Sequence, residues 1–402
     1  MNTEKRIGPR EHAYVDEYLD SQLSVKPEVN MSARLEKAFA EKFQSQFAIS
    51  HCNGTATLHS CLAAAGVGVG DEVIVPPLTM ASTAISVLHQ NAIPVFADVD
   101  PETFQIDPES VRKLITPRTK AIITVALYGL SPDMDPIMAM AKEKGIAVIE
   151  DNAQCFLGTY KGRLAGTIGD MASFSFQRTK HMTSGEGGMV ITNNQRYADE
   201  IRRFSILGYA MYSGKSIQFS KRDIMNPNVD RHASLGWNYL MPKICAAMAL
   251  GQLERLDEFV ARRTEIAKAY HEIVSKCAWL QPQRIPDDCV SSYWSYVVKL
   301  NREDVSWDQF FDAFVKHGGD GFYAAWKLTY MEPMFQNMSL GGRERFFEKP
   351  FYQGEKQVYA PGLCPVAESL QPKLMQFKTS YFDADRLNRQ LEALQQAIAD
   401  FS

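Results

Sequence analysis

The sequence has no long hydrophobic run and no excess of charge of one sign. Its longest apolar stretch, "AIITVALYGL" at 121–130, is shorter than the roughly 20 residues that a membrane-spanning helix needs. The formal net charge is -4 over 402 residues, which does not indicate the basic surface typical of nucleic-acid-binding proteins. The first twenty residues have no apolar segment behind their positive charges, unlike a secretory signal. We therefore expect a protein that binds neither membranes nor nucleic acid.

Cysteine and histidine are few and scattered. The seven cysteines contain no CxxC pair, and the eight histidines contain no HExxH spacing. The patterns of zinc sites and of disulfide-rich domains are therefore absent from the sequence. We expect no metal site, and we expect free thiols in a cytoplasmic protein.

The sequence does contain a regular alternation of short apolar runs and amphipathic segments. Between residues 71 and 207, apolar runs of roughly 4–8 residues alternate with helical patterns of roughly 10–15 residues. This order predicts an α/β fold, a three-layer sandwich around a mainly parallel mixed sheet. Residues 241–274 have the pattern of a long helix or a helix pair. We expect a large domain over 1–250 and a smaller C-terminal α+β domain over 251–402.

Three motifs place polar groups where an α/β sheet binds ligands. In "FSFQRTKHMTSGEGG", 174–188, a strand-like alternation leads to Lys180 and a glycine-rich turn. "VIEDNAQ" has Asp151 at a strand end, where ligands of open α/β sheets bind. "NGTATL", 53–58, opens a helix whose free N–H groups suit a phosphate. Taken singly, each motif has a simpler interpretation: a lysine that reaches solvent, a carboxylate that caps a helix, and an ordinary helix start.

Together, the three motifs supply what pyridoxal 5'-phosphate requires. This cofactor needs a lysine for a Schiff base, a carboxylate for its pyridine nitrogen and a cup for its phosphate. Lys180 and Asp151 would supply the first two, and Gly54, Thr55 and Ser175 would form the cup. The combination predicts an enzyme that uses pyridoxal 5'-phosphate.

These motifs, with others along the chain, resemble the DegT/DnrJ/EryC1/StrS family of sugar aminotransferases, which have the aspartate aminotransferase fold, or fold type I. The resemblance runs from about Ile7 to the last helix and is densest from 51 to 195. The segments that carry it are "NGTATL", "GDEVIVPPLTMAST", "IPVFADVDPETFQIDP", "LYGLSPDMDPI", "IEDNAQCFLGTYKGRLAGTIGD", "SFSFQRTKHMTSGEGGMVIT" and "LGWNYLMPKICAAMALGQL".

The resemblance implies a role for each residue that matches a family motif. Lys180 is implied as the Schiff-base lysine, Asp151 as the partner of the pyridine nitrogen, and Gln154 as a neighbour of the cofactor ring. The implied contacts to the cofactor phosphate are Gly54, Thr55, Ser175 and, from the neighbouring subunit of a homodimer with shared active sites, Asn238.

The chain departs from the family pattern at two positions. Met80 stands where relatives usually carry an aromatic residue that stacks on the ring, and its sulfur can pack there less rigidly. Leu240, in "NYLM", replaces a basic residue. Some relatives carry histidine in place of the lysine and are dehydratases. Here His181 comes one position after Lys180, where it could assist proton transfer, but neighbours on an extended segment face opposite sides.

The implied reaction moves an amino group from glutamate or glutamine to a keto-sugar. Nucleotide-linked keto-sugars, free keto-sugar acids and cyclic inososes remain possible acceptors, in amino-sugar, polysaccharide or natural-product biosynthesis. The alternatives are a sugar dehydratase on the same scaffold, which Lys180 disfavours, and a non-catalytic regulator that binds the cofactor, for which the sequence shows no DNA-binding segment.

Residues 208–236 lack periodicity and carry basic residues against few acidic ones. The basic and the large apolar residues of interest are Lys215, Lys221, Arg222, Arg231, Met211, Tyr212 and Phe219. One interpretation is a solvated surface loop. The other is a clamp in which cations, above all Arg222 and Arg231, hold the anionic part of the acceptor through two-pronged hydrogen bonds.

Overall fold

A computed structural model describes residues 5–24, 26–210, 212–213, 216–217, 220–355 and 357–402. The strands in this part of the chain are β1 (Phe47–His51), β2 (Glu72–Val75), β3 (Ile93–Phe96), β4 (Thr119–Val125), β5 (Ala147–Asp151), β6 (Thr159–Tyr160), β7 (Arg163–Leu164), β8 (Met171–Ser175), β9 (Gly188–Thr192), β10 (Tyr212–Ser213), β11 (Ser216–Ile217), β12 (Leu280–Pro282), β13 (Cys289–Val290), β14 (Ser295–Leu300), β15 (Tyr323–Ala324) and β16 (Leu374–Lys378). The α-helices are α1 (Pro9–Asp20), α2 (Met31–Lys42), α3 (Gly54–Ala64), α4 (Ser82–His89), α5 (Pro108–Leu114), α6 (Met134–Lys144), α7 (Gln195–Ser205), α8 (Lys221–Met225), α9 (Lys243–Glu254), α10 (Leu256–Val274), α11 (Trp307–Lys316), α12 (Pro333–Gln336), α13 (Pro365–Leu370) and α14 (Ala384–Asp400).

The large sheet has seven strands in the order β1-β9-β8-β5-β4-β2-β3. The pairs from β8 to β3 are parallel, whereas β9 runs antiparallel to both of its neighbours. Every residue of β5 is buried, as expected for a central parallel strand that helices cover on both faces. The prediction of an α/β fold with a mainly parallel mixed sheet is confirmed.

The alternating sequence of β8 separates an apolar face from a polar one. Phe174 packs against Phe39 and Phe43, with ring centroids 5.2 and 4.8 Å apart. On the other face, the hydroxyl of Ser173 lies 2.6 Å from that of Thr57 in α3. The phenylalanines therefore anchor the strand in the helix layer, and its serines face the start of α3.

A second sheet, in the order β12-β14-β16-β15, forms the core of a smaller α+β unit with α10, α11 and α14. Its aromatic residues pack together, and they include Tyr270, Tyr296, Phe310, Phe314 and Phe377. The predicted helical segment at 241–274 is a helix pair that breaks at Arg255, with α9 packed on α1 and α2, and α10 packed on α14.

The chain between the last two strands of the small sheet returns to the large one. Tyr330, Phe335 and Tyr359 surround Phe96 of β3, and the Tyr359 hydroxyl donates a hydrogen bond to the carbonyl of Pro94. Part of the region expected as the C-terminal domain thus packs on the large sheet, and the boundary at residue 250 stays a prediction. None of the helices in the described ranges combines the length and the apolar character needed to cross a membrane.

Candidate active site

A cavity of about 400 Å³ lies at the carboxyl ends of the central strands of the large sheet. Its lining includes a group of residues that the sequence predicted as cofactor contacts: Gly54, Thr55, Met80, Asp151, Gln154, Ser175 and Lys180. They come from the segments after β1, β2, β5 and β8 and from the last residues of β5 and β8 themselves. The topology therefore collects, at one sheet edge, motifs that are far apart in the sequence.

Lys180 enters the cavity from the turn that follows β8. Its backbone N–H donates to the carbonyl of Gln177 at 2.9 Å, and its Nζ atom lies 5.0 Å from the ring centroid of Trp294. Burial lowers the pKa of the amine to about 8; Asp151 opposes this effect and the positive charge of Arg263 adds to it. A lysine with this pKa is partly neutral near neutral pH, as a base or a nucleophile must be.

Asp151 is the last residue of β5 and is almost fully buried. One carboxylate oxygen accepts a hydrogen bond from the Thr83 hydroxyl and the other from the N–H of Ala153, both at 3.1 Å. Burial raises the pKa of Asp151, while these hydrogen bonds and the charge of Lys180 lower it. A protonated ring nitrogen would complete the set of partners of this carboxylate.

The neighbouring carboxylate, Glu150, has a different role. Its oxygens accept hydrogen bonds from the backbone N–H groups of Gly166, Ile168 and Gly169 at 2.6–2.7 Å. The side chain therefore holds a turn on the opposite face of β5, as the alternation of a strand requires. Of the two adjacent acids, only Asp151 lines the cavity.

The start of α3 forms a cup beside β8. The Asn53 side chain caps the helix by accepting from Ala56 N–H at 2.8 Å, whereas the first N–H groups of a helix have no acceptor within it. A Cβ atom on Gly54 would lie 2.8 Å from the Cβ of Ser175, so this approach needs glycine. The cup has the free donors and the space that a phosphate needs, and with Lys180 and Asp151 the site fits pyridoxal phosphate.

Gln154 and Met80 occupy other parts of the same cavity. The Gln154 side-chain oxygen accepts from the N–H of Tyr128 at 2.9 Å, and Tyr128 has a left-handed backbone with φ of 64°. The turn after β4 thus fixes the orientation of Gln154. Met80 lies at the rim, with about half of its surface exposed.

Aromatic residues of the smaller α+β unit form the outer wall of the cavity, and this wall was not predicted from the sequence. This wall consists of Trp294, Tyr323 and Trp326. The Trp294 indole donates to the carbonyl of Thr179 at 3.0 Å, so the wall is tied to the turn that carries Lys180. The strand pattern of "SYWSYVV" shows that a strand is present, but it does not show that the turn before it faces the cavity.

The other predicted site residues lie outside the cavity lining of this chain. His181 is buried, with its Nε2 atom 2.9 Å from the carbonyl of Ser292 and its ring against Phe156. Asn238 is exposed, as are Arg222 and Arg231. Met211, Lys215 and Phe219 lie outside the described residues, and the side chains of Tyr212 and Lys221 are also outside the description.

Residues 5–348 match the DegT/DnrJ/EryC1/StrS aminotransferase family. The chain belongs to this family. It is a pyridoxal-phosphate-dependent aminotransferase with an amino donor and a keto-sugar acceptor.

Curated relatives and a solved structure agree with this assignment. The chain is 38% identical over 285 residues to GDP-perosamine synthase of Escherichia coli O157:H7, covering 71% of this chain and 73% of that protein. It is 39% identical over 298 residues to the spore coat polysaccharide biosynthesis protein SpsC of Bacillus subtilis strain 168, covering 74% and 75%. The solved structure of an aminotransferase from Psychrobacter cryohalolentis is similar over 98% of this chain and 99% of that one, with a TM-score of 0.83 and 29% identity.

Proposed function

We propose that the protein transfers the amino group of glutamate or glutamine to the carbonyl carbon of a nucleotide-linked keto-sugar, and that two copies form a homodimer with shared active sites. The observation that carries this proposal is one cavity in which Lys180 and Asp151 face an aromatic wall. A relative that is named for a GDP-linked product, GDP-perosamine synthase, supports the choice of a nucleotide-linked acceptor.

The proposed chemistry assigns one task to each polar group of the cavity. When bound, pyridoxal phosphate supplies an electron sink for charge that develops at the substrate carbon. Asp151 holds a proton at the pyridine nitrogen, because a buried carboxylate stabilises a positive partner beside it. Lys180 moves the proton of the donor's Cα, for which a pKa of about 8 keeps part of the amine neutral. Gly54, Thr55 and Ser175 hold the phosphate.

The aromatic wall supports a sugar ring as the acceptor. Trp294 and Trp326 have ring centroids 6.5 Å apart, and Tyr323 and Trp326 keep 54% and 39% of their surfaces exposed. Exposed aromatic faces beside a cavity offer apolar contact area for the C–H groups of a sugar. Since the cavity holds about 400 Å³, near the lower end for ligand pockets, we propose that the nucleotide extends outside it.

The surface around Asn238 supports a homodimer. Its neighbours Leu235, Trp237, Leu240 and Ile244 are exposed by 87, 46, 53 and 44%. Large apolar side chains that are exposed together are typical of an interface. We propose that a second copy covers this surface, and that Asn238 then reaches the phosphate cup of its partner.

The reaction can be tested in two steps. The protein with bound cofactor is mixed with glutamate or glutamine, and release of 2-oxoglutarate or its amide is measured. GDP-linked and other nucleotide-linked keto-sugars are then compared with free keto-sugar acids and inososes by mass spectrometry of the aminated product. Amination of a nucleotide-linked sugar alone would support the proposal; turnover of only the free acceptors would contradict the proposed acceptor, although not the donor step.

A further inference from the structure

A second cavity, of about 190 Å³, adjoins the cofactor cavity. The two cavities share Thr179, Trp294 and Tyr323 as walls. The remaining sides of the small cavity carry four basic residues: Arg6, Arg178, Arg263 and Lys378. We refer to it as the arginine cavity.

The three arginines of this cavity lack an acidic partner within the described part of the chain. Arg263 donates to the carbonyls of Trp294 at 2.7 Å and Thr179 at 3.3 Å, and Arg6 donates to the carbonyl of Lys180 at 2.6 Å. Arg178 is exposed and makes no hydrogen bond or ion pair with any described residue. Arg263 is only 4% exposed, and a positive charge that is withdrawn from water without a counterion is costly, so the cavity is suited to an anion.

The fourth cation differs from the arginines because it is already paired. Lys378 lies 3.4 Å from a carboxylate oxygen of Asp320 and donates to the Asp320 carbonyl at 3.0 Å. Asp320 also pairs with Arg386 at 2.6 Å, and it does not line the arginine cavity. The unbalanced charge therefore belongs to the arginines.

Buried polar atoms without partners give an independent sign that the arginine cavity is incomplete. Within the described residues, no hydrogen bond is made by Arg6 Nε or Ser295 Oγ, which are both buried and can both donate to an anion. Ser295 is itself only 6% exposed, and it lines the arginine cavity, as Arg6 does. Since buried polar groups normally have partners, these atoms indicate a polar ligand.

We propose that the arginine cavity binds a carboxylate of the amino-acid donor, a proposal that rests on the proposed aminotransferase function. A guanidinium group matches the two oxygens of a carboxylate. The volume suits a carboxylate on a short chain, whereas a nucleotide needs more space. The shared walls place this anion next to Lys180, where the donor's amino group must react.

Arg178 provides the cleanest test, because removing its charge breaks no described contact. In the enzyme with bound cofactor, calorimetry with glutarate measures binding of a dicarboxylate that has no amino group to react. We expect Arg178→Gln to weaken glutarate binding about ten-fold or more. The matched control is Arg284→Gln, which removes an arginine that is paired with Glu102 on the surface away from this cavity; it should leave glutarate binding unchanged.

The two half-reactions then identify the source of the carboxylate. Arg178→Gln should raise the concentration of glutamate that half-saturates 2-oxoglutarate release by about ten-fold, and it should leave the limiting rate and the acceptor KM unchanged. An equal loss with L-alanine indicates the α-carboxylate, while a loss confined to glutamate indicates the distal one; both support the proposal. Unchanged glutarate binding, or an effect confined to the acceptor KM, would overturn it. Because wild-type release of 2-oxoglutarate is measured in parallel, failure of the donor reaction itself is recognised separately.

Discussion

Gly54 and Ser175 approach so closely that a Cβ atom on Gly54 would lie 2.8 Å from the Cβ of Ser175. This contact sets the width of the proposed phosphate cup. We expect Gly54→Ala to push Ser175 out of position and to weaken binding of pyridoxal phosphate about ten-fold, or about 1.4 kcal/mol. Titration of cofactor-free protein with pyridoxal phosphate, followed by absorbance, measures the effect.

The control for this substitution is Gly68, which lies in the loop that follows α3. A Cβ atom at Gly68 would meet no other atom within 4 Å, so Gly68→Ala should leave cofactor affinity unchanged. If Gly54→Ala binds the cofactor as tightly as Gly68→Ala, the cup at the start of α3 does not hold the phosphate.

Substitution of the adjacent acids Glu150 and Asp151 should affect different properties of the enzyme: the stability of the fold for Glu150 and the catalytic rate for Asp151. Asp151→Asn should keep the fold and the cofactor but reduce kcat by about 10²-fold or more, because a neutral amide cannot stabilise a positive ring nitrogen. Glu150→Gln should instead destabilise the fold by about 1.5–3 kcal/mol, because charged hydrogen bonds to three backbone N–H groups are weakened. Urea unfolding and steady-state kinetics on both variants separate the two effects. A Glu150→Gln enzyme that is stable but inactive would contradict this division.

The buried amine of Lys180 should reduce the stability of the cofactor-free protein. Its pKa falls from 10.5 to about 8 on folding, so the unfolded chain binds the proton more tightly. The contribution of Lys180 to the free energy of unfolding is therefore lowest below about pH 8, and it rises as the pH increases toward 10.5. The penalty at neutral pH is on the order of 3 kcal/mol. We expect Lys180→Met to abolish turnover and to raise the urea midpoint at about pH 7, with a smaller gain at about pH 10.

The result at the higher pH is the control for this prediction. An equal gain at both pH values would show that Met packs better, and not that the lysine charge is costly. Turnover by Lys180→Met at the wild-type rate would contradict the role of Lys180 as the base.

The sequence predicted the polar residues of the cofactor cavity, such as Lys180 and Asp151, but not its aromatic wall. Asp151 and Lys180 follow strand patterns that end at a sheet edge, so strand direction alone places them together. Trp294 and Trp326 come from the small domain, whose position against the large one depends on tertiary packing. The arginine cavity was missed for the same reason, since Arg178 follows β8 of the large sheet, whereas Gln376 and Lys378 lie on β16 of the small one.

The aromatic wall should affect the acceptor and not the donor. Trp326→Ala is expected to raise the acceptor KM roughly ten-fold, about 1.4 kcal/mol, because it removes a surface for the sugar ring. Trp307→Ala is a matched control, since Trp307 is 38% exposed and Trp326 39%, and Trp307 lies in α11 outside the cavity lining. Equal kinetics for the two variants would argue against a sugar-binding role of the wall.

Sharing of active sites between two copies can be tested by mixing inactive subunits. Asn238 is exposed and outside the cavity of its own chain, yet its family match implies a contact with the cofactor phosphate in the partner. If so, Lys180→Ala and Asn238→Ala impair different halves of each site, and a hybrid dimer contains one site with both residues intact. Mixing the two variants after partial denaturation and refolding should therefore restore activity, up to about one quarter of the wild-type value when half of the dimers are hybrids.

Refolded samples of each variant alone serve as controls. Recovery near zero, in a mixture shown by mass spectrometry to contain hybrids, would mean that each chain completes its own site and that Asn238 is not a ligand of the neighbouring phosphate.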